Sequence, residues 1–350
     1  MLLANLIASR SLYNYWRFIM KRIFTLLLTT FLIASLFCSC ANDTDSKQIS
    51  VKNTTSDSST ASKTVDESYT FTDDLNREIT VQSCTHTAAL LGSYADIWML
   101  SGGTVCATVD DAWDDFHLSL SEDIVNLGGT KNLSLEAIFS SEPDFILAST
   151  NTPQHLEWQT AFESAGITVA YFDVSTFDDY LRMLKICTDL NDTPELYTEY
   201  GTALQSQIEQ IIDKSTTNME KNGAQTVLVL RASAASIRAK NSHDNVLGEA
   251  LKSMGCLNIA DNDETLLENL SLESILITNP DKIFIVQLGD DEEGMKRNIE
   301  TSFSENPLWQ KLDAVKNNEV YYMDKHLFNL KPNARWGETY EQLEEILFHE

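Results

Sequence analysis

The sequence predicts an α/β protein: two Rossmann-like lobes with mainly parallel sheets, joined by one long interdomain α-helix. Three observations predict it. Strand-like and helix-like stretches alternate along most of the chain, the pattern of parallel sheets covered by helices. One phrase occurs twice, as Asn132-Leu-Ser-Leu-Glu136-Ala-Ile-Phe-Ser-Ser-Glu-Pro143-Asp144-Phe-Ile and Asn269-Leu-Ser-Leu-Glu273-Ser-Ile-Leu-Ile-Thr-Asn-Pro280-Asp281-Lys-Ile. Between the copies, Thr193 to Lys214 reads as a single long helix. Thr193 suits the N-cap, Pro194 the first helical position and Glu195 the first turn. Leu196, Tyr200, Leu204, Ile208, Ile211 and Ile212 then recur at three- and four-residue steps as one apolar stripe. Pro194 to Lys214 spans roughly 30 Å, enough to cross between two compact lobes.

At 350 residues the chain holds two domains of ordinary size. Residues 1–39 read as a signal peptide. Met20-Lys21-Arg22 precedes an apolar run from Ile23 to Phe37 that is too short for a comfortable transmembrane helix. Residues 1–19 come before an already complete signal, so Met20 is a candidate for the true start. Leu36-Phe37-Cys38-Ser39-Cys40 resembles a bacterial lipobox, with Cys40 the better acceptor because small Ser39 precedes it. Phe37 stands where Leu is usual, and a plain secretory signal or an uncleaved anchor is the alternative. Asn42 to Ser68 is dominated by Ser, Thr and Asp with almost no large apolar residues. It cannot bury enough surface to offset its ordering entropy, so residues 40–68 are expected to form a lipidated tether.

The folded body follows. Tyr69–Thr72 and Arg77–Val81 flank a turn and predict a hairpin. Ala88–Leu91, Val105–Val109, Asp144–Ala148 and Thr168–Phe172 read as strands. Helices are expected at Tyr94–Leu100, Glu136–Ser141, Pro153–Ala165 and Thr176–Leu190, the last opened by Thr176 and Asp179 at capping-box spacing. After the linking helix, Val227–Arg231, Lys282–Gln287 and Val320–Met323 read as strands. Asn245–Met254, Ser271–Thr278, Glu292–Thr301 and Trp336–Phe348 read as helices. The divisions are 69–190 for the first lobe, 191–220 for the linking helix and 221–350 for the second lobe. Ligands of parallel α/β sheets bind beyond the carboxyl ends of the strands. Two such lobes place a cleft between them.

Twenty-five Lys and Arg against 52 Asp and Glu give a net charge of −27. The first 39 residues hold four of the cations and no acid, so the remainder is more acidic still. Such a surface argues against nucleic acid and against flat binding to anionic lipid, and mostly serves solubility. Cys84, Cys106, Cys187 and Cys256 are widely spread and read as small apolar residues, with a Cys84–Cys106 disulfide left open. Six histidines are scattered without HxH or HExxH, so no metal site is assigned. No GxSxG, P-loop, GxGxxG or SxxK motif anchors an enzyme.

The hairpin, the start Leu91-Gly-Ser-Tyr94-Ala-Asp-Ile-Trp98, the doubled phrase and the single linking helix together resemble the periplasmic-binding-protein family. That family serves ATP-binding-cassette importers of ferric siderophores, haem and vitamin B12. The resemblance covers roughly residues 69–350 and implies a shallow cleft with little hinge closure. Glu136 and Glu273 match the two family glutamates that pair with arginines of a permease dimer. One carboxylate per lobe suits a two-fold partner, although each also complements the dipole of its own helix.

Cleft candidates are residues just after the strands. They include Tyr94, Trp113 within Asp110–Phe116, Asn151, Thr152, Arg231, Arg238, Lys240, Gln287, and the segment Lys331 to Trp336 with Arg335. The cations suit an anionic chelate, and Tyr94, Trp113 and Trp336 could cover a flat ligand. Surface pairing with acids is the plainer account of the cations, and Trp98 and Trp309 read as core. The expected protein is a lipid-anchored monomer on the extracytoplasmic face, with no covalent cofactor and no enzymatic activity. It captures a ferric siderophore for a permease powered by a separate ATPase. Haem or cobalamin are alternative ligands, and a surface metal-dependent hydrolase is the rival from another class.

Overall fold

A computed structural model describes residues 68–348 with the exception of Asp244. The expected signal segment, Cys40 and all but the last residue of the tether lie outside the described residues.

β1 (Tyr69–Thr72) and β2 (Glu78–Val81) form the expected antiparallel hairpin. Its turn is organised by the buried Asp73 carboxylate, which accepts from the backbone N–H groups of Leu75, Arg77 and Tyr171. The Arg77 guanidinium, 2.7 Å away, balances that buried charge.

The first lobe is a five-stranded parallel sheet. Its strands are β3 (Thr87–Ala89), β4 (Val105–Thr108), β5 (Val125–Asn126), β6 (Phe145–Ser149) and β7 (Thr168–Phe172), in the order β5-β4-β3-β6-β7. Every residue of β6 is buried, as a central parallel strand covered on both faces requires. The helix Phe177–Leu190 starts on the expected capping box, with Thr176 and Asp179 each accepting from the other's backbone N–H.

The second lobe contains β8 (Thr226–Ala232), β9 (Ile237–Lys240), β10 (Leu257–Asn258), β11 (Lys282–Gln287) and β12 (Val320–Met323). The parallel order is β10-β8-β11-β12, and β9 pairs antiparallel with the far end of β8. The stretch Arg231–Lys240, which holds three of the cations expected in the cleft, is therefore mostly a hairpin. Ser233, rather than glycine, organises its turn by accepting from the N–H groups of Ala235 and Ser236.

The linking element is longer than the sequence suggested. It runs as Pro194–Tyr197, one wide π turn at Thr198–Thr202, and Ala203–Asn222, ending at Gly223 with φ 96°. Twenty-nine residues of helix span about 43 Å. Thr193 does not cap it: its hydroxyl donates instead to the Ser101 carbonyl at 2.7 Å. The stripe is buried at Ile208 and Ile211, with Leu204 and Ile212 packed beside them.

The final helix, Trp336–Phe348, lies against this strut. Gln207 Nε2 donates to Glu341 at 2.7 Å, and Lys214 pairs with Glu344 at 2.5 Å. It also touches both lobes. The Trp336 ring meets Phe177 edge-on at 5.8 Å, and the Tyr340 hydroxyl lies 3.1 Å from Ser253 Oγ of the helix Val246–Ser253. One apolar core consequently runs from Phe145 and Phe172 in the first sheet through Ile208 and Trp336 to Val229 and Phe284 in the second. Separate clusters cover the other face of each sheet. Trp98 and Trp309 are core residues, as expected. All four described cysteines are free, so Cys84 and Cys106 do not pair.

Candidate functional site

Loops that follow the strands of the two lobes meet in a cleft. Beyond β4, Asp115 Oδ1 lies 2.7 Å from Lys325 Nζ, which follows β12 directly, and Asp290 pairs with the same ammonium. The segment Lys331 to Arg335 reaches from the second lobe against the helix Gly92–Leu100 of the first. There the buried Asn333 donates from Nδ2 to the Ser93 carbonyl at 2.9 Å and to Asp96 Oδ2 at 2.8 Å. A cavity of about 320 Å³ lies between, lined by Asp96, Asp115 and His117 on one side and His326, Lys331 and Arg335 on the other. A second, of about 600 Å³, is bordered by Gln287, Asp290, Tyr322, Asp324 and Lys325. His326 borders both. Both volumes fall in the range of small-molecule sites.

The electrostatics are those of a desolvated, mixed-charge cleft. Burial lowers the pKa of Lys331, while Asp173, Asp111 and Asp179 favour its charged form. Its ammonium sits 5.9 Å from the centre of the Tyr94 ring. Burial pushes Asp111 up to about 6, although its carboxylate accepts from Gly92 N at 2.9 Å. A Cβ on Gly92 would lie 2.6 Å from both Asp111 Oδ1 and Ala112 N, so this approach requires glycine. Lys325 is partly desolvated, yet its bonds to Asp115 and Asp290 hold its pKa above the ordinary value.

Several residues expected in the cleft lie elsewhere. Tyr94 is fully buried and donates its hydroxyl to the Phe172 carbonyl at 2.8 Å. Trp336 is 1% exposed and packs on Phe177 and Tyr340. Both occupy inward faces of helices, so they build the core beneath the cleft rather than its lining. Trp113 is half-buried on the single turn Asp111–Asp114, and its carbonyl bonds His117 Nδ1 at 3.1 Å. Arg231 and Arg238 face one another across the β8–β9 hairpin, with Lys240 ending that strand. None of these three borders either cavity. Asn151 bonds Asp173 at 2.7 Å. Arg335 does line the cleft, where it pairs with Glu338 at 2.8 Å, and Gln287 lines the second cavity. Sequence reasoning passed over Lys325, His326 and His117. The rule of looking just beyond strand ends reaches the first two, and His117 directly follows the loop it named.

The doubled phrase folds the same way twice. Ser134 and Ser271 cap their helices by accepting from Ala137 N at 3.1 Å and Ser274 N at 3.3 Å. Glu136 and Glu273 both stand exposed in the first turn that follows. At the end of each phrase a carboxylate ties down a neighbouring strand: Asp144 accepts from His86 N at 3.0 Å, and Asp281 from Thr226 N at 2.7 Å. Each helix runs into a central parallel strand, β6 or β11, so its N-terminus lies at the carboxyl edge of its sheet.

Residues 88–327 match the family model of the periplasmic binding proteins. The Fe(3+)-citrate-binding protein YfmC of Bacillus subtilis is 25% identical over 256 residues, covering 71% of this chain and 75% of that protein. The high-affinity heme uptake system protein IsdE of Staphylococcus aureus is 23% identical over 230 residues, covering 65% and 75%. The crystal structure of Staphylococcus aureus SirA complexed with staphyloferrin B superposes with a TM-score of 0.62 at 18% identity, covering 80% and 98%.

Proposed function

Because the chain belongs to the periplasmic binding protein family, we propose that it captures a ferric complex, a ferric siderophore first of all, between its lobes. It then hands that complex to an ATP-binding-cassette permease without covalent chemistry of its own. The observation that carries this is that Lys331 and Arg335 line one cavity and Lys325 the adjoining one, with His326 bordering both, in a chain with net charge −27. Ferric chelates display carboxylates or catecholates, and such ligands are held by ammonium and guanidinium donors in a partly desolvated site. The names of the relatives, which bind ferric citrate, haem and staphyloferrin B, support the same ligand class.

Delivery rests on Glu136 and Glu273. Two exposed carboxylates on equivalent helices, one per lobe, suit a two-fold permease carrying arginines. Cys40 is the proposed lipid anchor that keeps a monomer at the outer face of the membrane. Haem is the second reading, supported by the imidazoles of His117 and His326 at the cleft.

The test is paired. Replacing Glu136 and Glu273 together by Ala is expected to leave the affinity for a ferric complex unchanged and to abolish uptake of radioactive iron by cells. Unchanged uptake would remove the docking role.

A further inference from the structure

His117 and His326 come from different lobes, and their ring centres lie 6.3 Å apart at the cleft. We propose that these two imidazoles are ligands for the metal of the cargo, so that the preferred cargo is a ferric complex whose own chelator leaves two coordination positions open. The inference rests on the reading of the chain as a ferric-complex receptor and narrows the class of complex.

Four features of the pair carry it. A metal–nitrogen bond of about 2 Å, plus roughly 1 Å to the ring centre, puts two imidazoles on opposite sides of one metal about 6 Å apart, centre to centre. The observed 6.3 Å between the ring centres matches that separation. His117 Nδ1 is already engaged by the Trp113 carbonyl at 3.1 Å, which leaves Nε2 as the coordinating atom. Metal-ligating histidines are oriented by such a bond from the other ring nitrogen to a backbone carbonyl. His117 also holds a left-handed φ of 50°, uncommon for a residue with a side chain. Its neighbours fix it there: Phe116 N donates to the Asp111 carbonyl and Leu118 N to the Ala112 carbonyl, both at 2.9 Å. The His326 backbone N–H is anchored on Asp324 at 2.8 Å, and no side-chain hydrogen bond engages its ring among the described residues.

Two nitrogen donors do not hold a bare ferric ion, so the remaining positions belong to the chelator. Lys331 and Arg335 line the same cavity as the pair, beside Asp96 and Asp115, and Lys325 adjoins it; these cations suit the carboxylates of that chelator. Binding is a ligand exchange: each neutral imidazole forms one iron–nitrogen bond as one water leaves the metal. No electron is transferred, and the His117 ring keeps its bond to Trp113. A hexadentate siderophore offers no open position and gains nothing from the pair.

The experiment titrates the purified protein with ferric citrate, ferric protoporphyrin and ferrioxamine B, and records pulsed electron paramagnetic resonance of the loaded wild type. One of the first two is expected to bind with nitrogen couplings from imidazole. His117→Ala and His326→Ala are each expected to weaken that complex at least tenfold, with recovery on adding free imidazole. Binding of an open complex without nitrogen coupling, or with affinity unmoved by both variants, overturns the proposal even if a variant proves unstable, because the wild-type spectrum stands alone. Preference for ferrioxamine B overturns it too while leaving the ferric-complex reading intact. Binding of none of the three overturns the proposal.

Discussion

At the scale of single residues, a histidine outside both cavities shows how burial sets chemistry. His155 is fully buried, and its Nδ1 accepts from Ser149 N at 3.0 Å, so the neutral ring carries its proton on Nε2. Nε2 has no partner, and burial lowers the pKa from the usual 6.5 to about 4. A depressed folded-state pKa gives stability that is present above 6.5 and lost as pH falls towards 4. The loss amounts to about 3 kcal/mol by the linkage between pKa and folding. His155→Asn keeps an acceptor for Ser149 N and removes the titration. Its melting temperature is expected to be flatter than that of the wild type between pH 6.5 and 4, as read by calorimetry. An equal slope in both proteins would contradict this assignment. Tyr94 and Trp336 teach the complementary lesson. Their residue types fitted a ligand platform, but composition does not say which face of a helix a ring occupies, and both rings turned inward.

At the scale of elements, much was legible because apolar pattern and capping agreed. β7, β11, β12 and the helix Trp336–Phe348 fall where hydrophobic periodicity put them. The Thr176 capping box appears atom for atom. The β8–β9 hairpin was not legible, since Ser233-Ala-Ala-Ser236 lacks the Gly or Asn that announces a tight turn. The His117–His326 pair was equally hidden, as only tertiary packing joins two loops so far apart in sequence. The linking helix was visible as a stripe, but its extension to Asn222 rests on the partly covered last turns around Met219. A strut locked by Lys214–Glu344 and Gln207–Glu341 should resist bending. Spin labels at the exposed Ser140 and Thr278, at the ends of the two helices that carry Glu136 and Glu273, are expected to change separation by less than about 2 Å when a ferric complex binds. Pulsed dipolar spectroscopy reads this, and a shift of many ångströms would show a true hinge.

At the scale of the whole molecule, one continuous core passes from the first sheet through the strut and the final helix to the second. The lobes therefore share interior packing instead of meeting only across a loop, which holds the cleft and the exposed Glu136 and Glu273 in a defined relation. Within this strongly acidic chain the cleft is mixed in charge: Lys331 and Arg335 line it together with Asp96 and Asp115. The central claim is that this cleft takes a ferric complex. The most direct measurement is a tryptophan-fluorescence titration of the protein and of its Lys331→Met/Arg335→Ala variant with ferric siderophores, ferric citrate, haem and cobalamin. The account predicts saturable one-to-one binding of a ferric complex, weakened at least tenfold in the variant, about 1.4 kcal/mol. No response to any ferric complex, or an affinity unmoved by removing both cations, would contradict it.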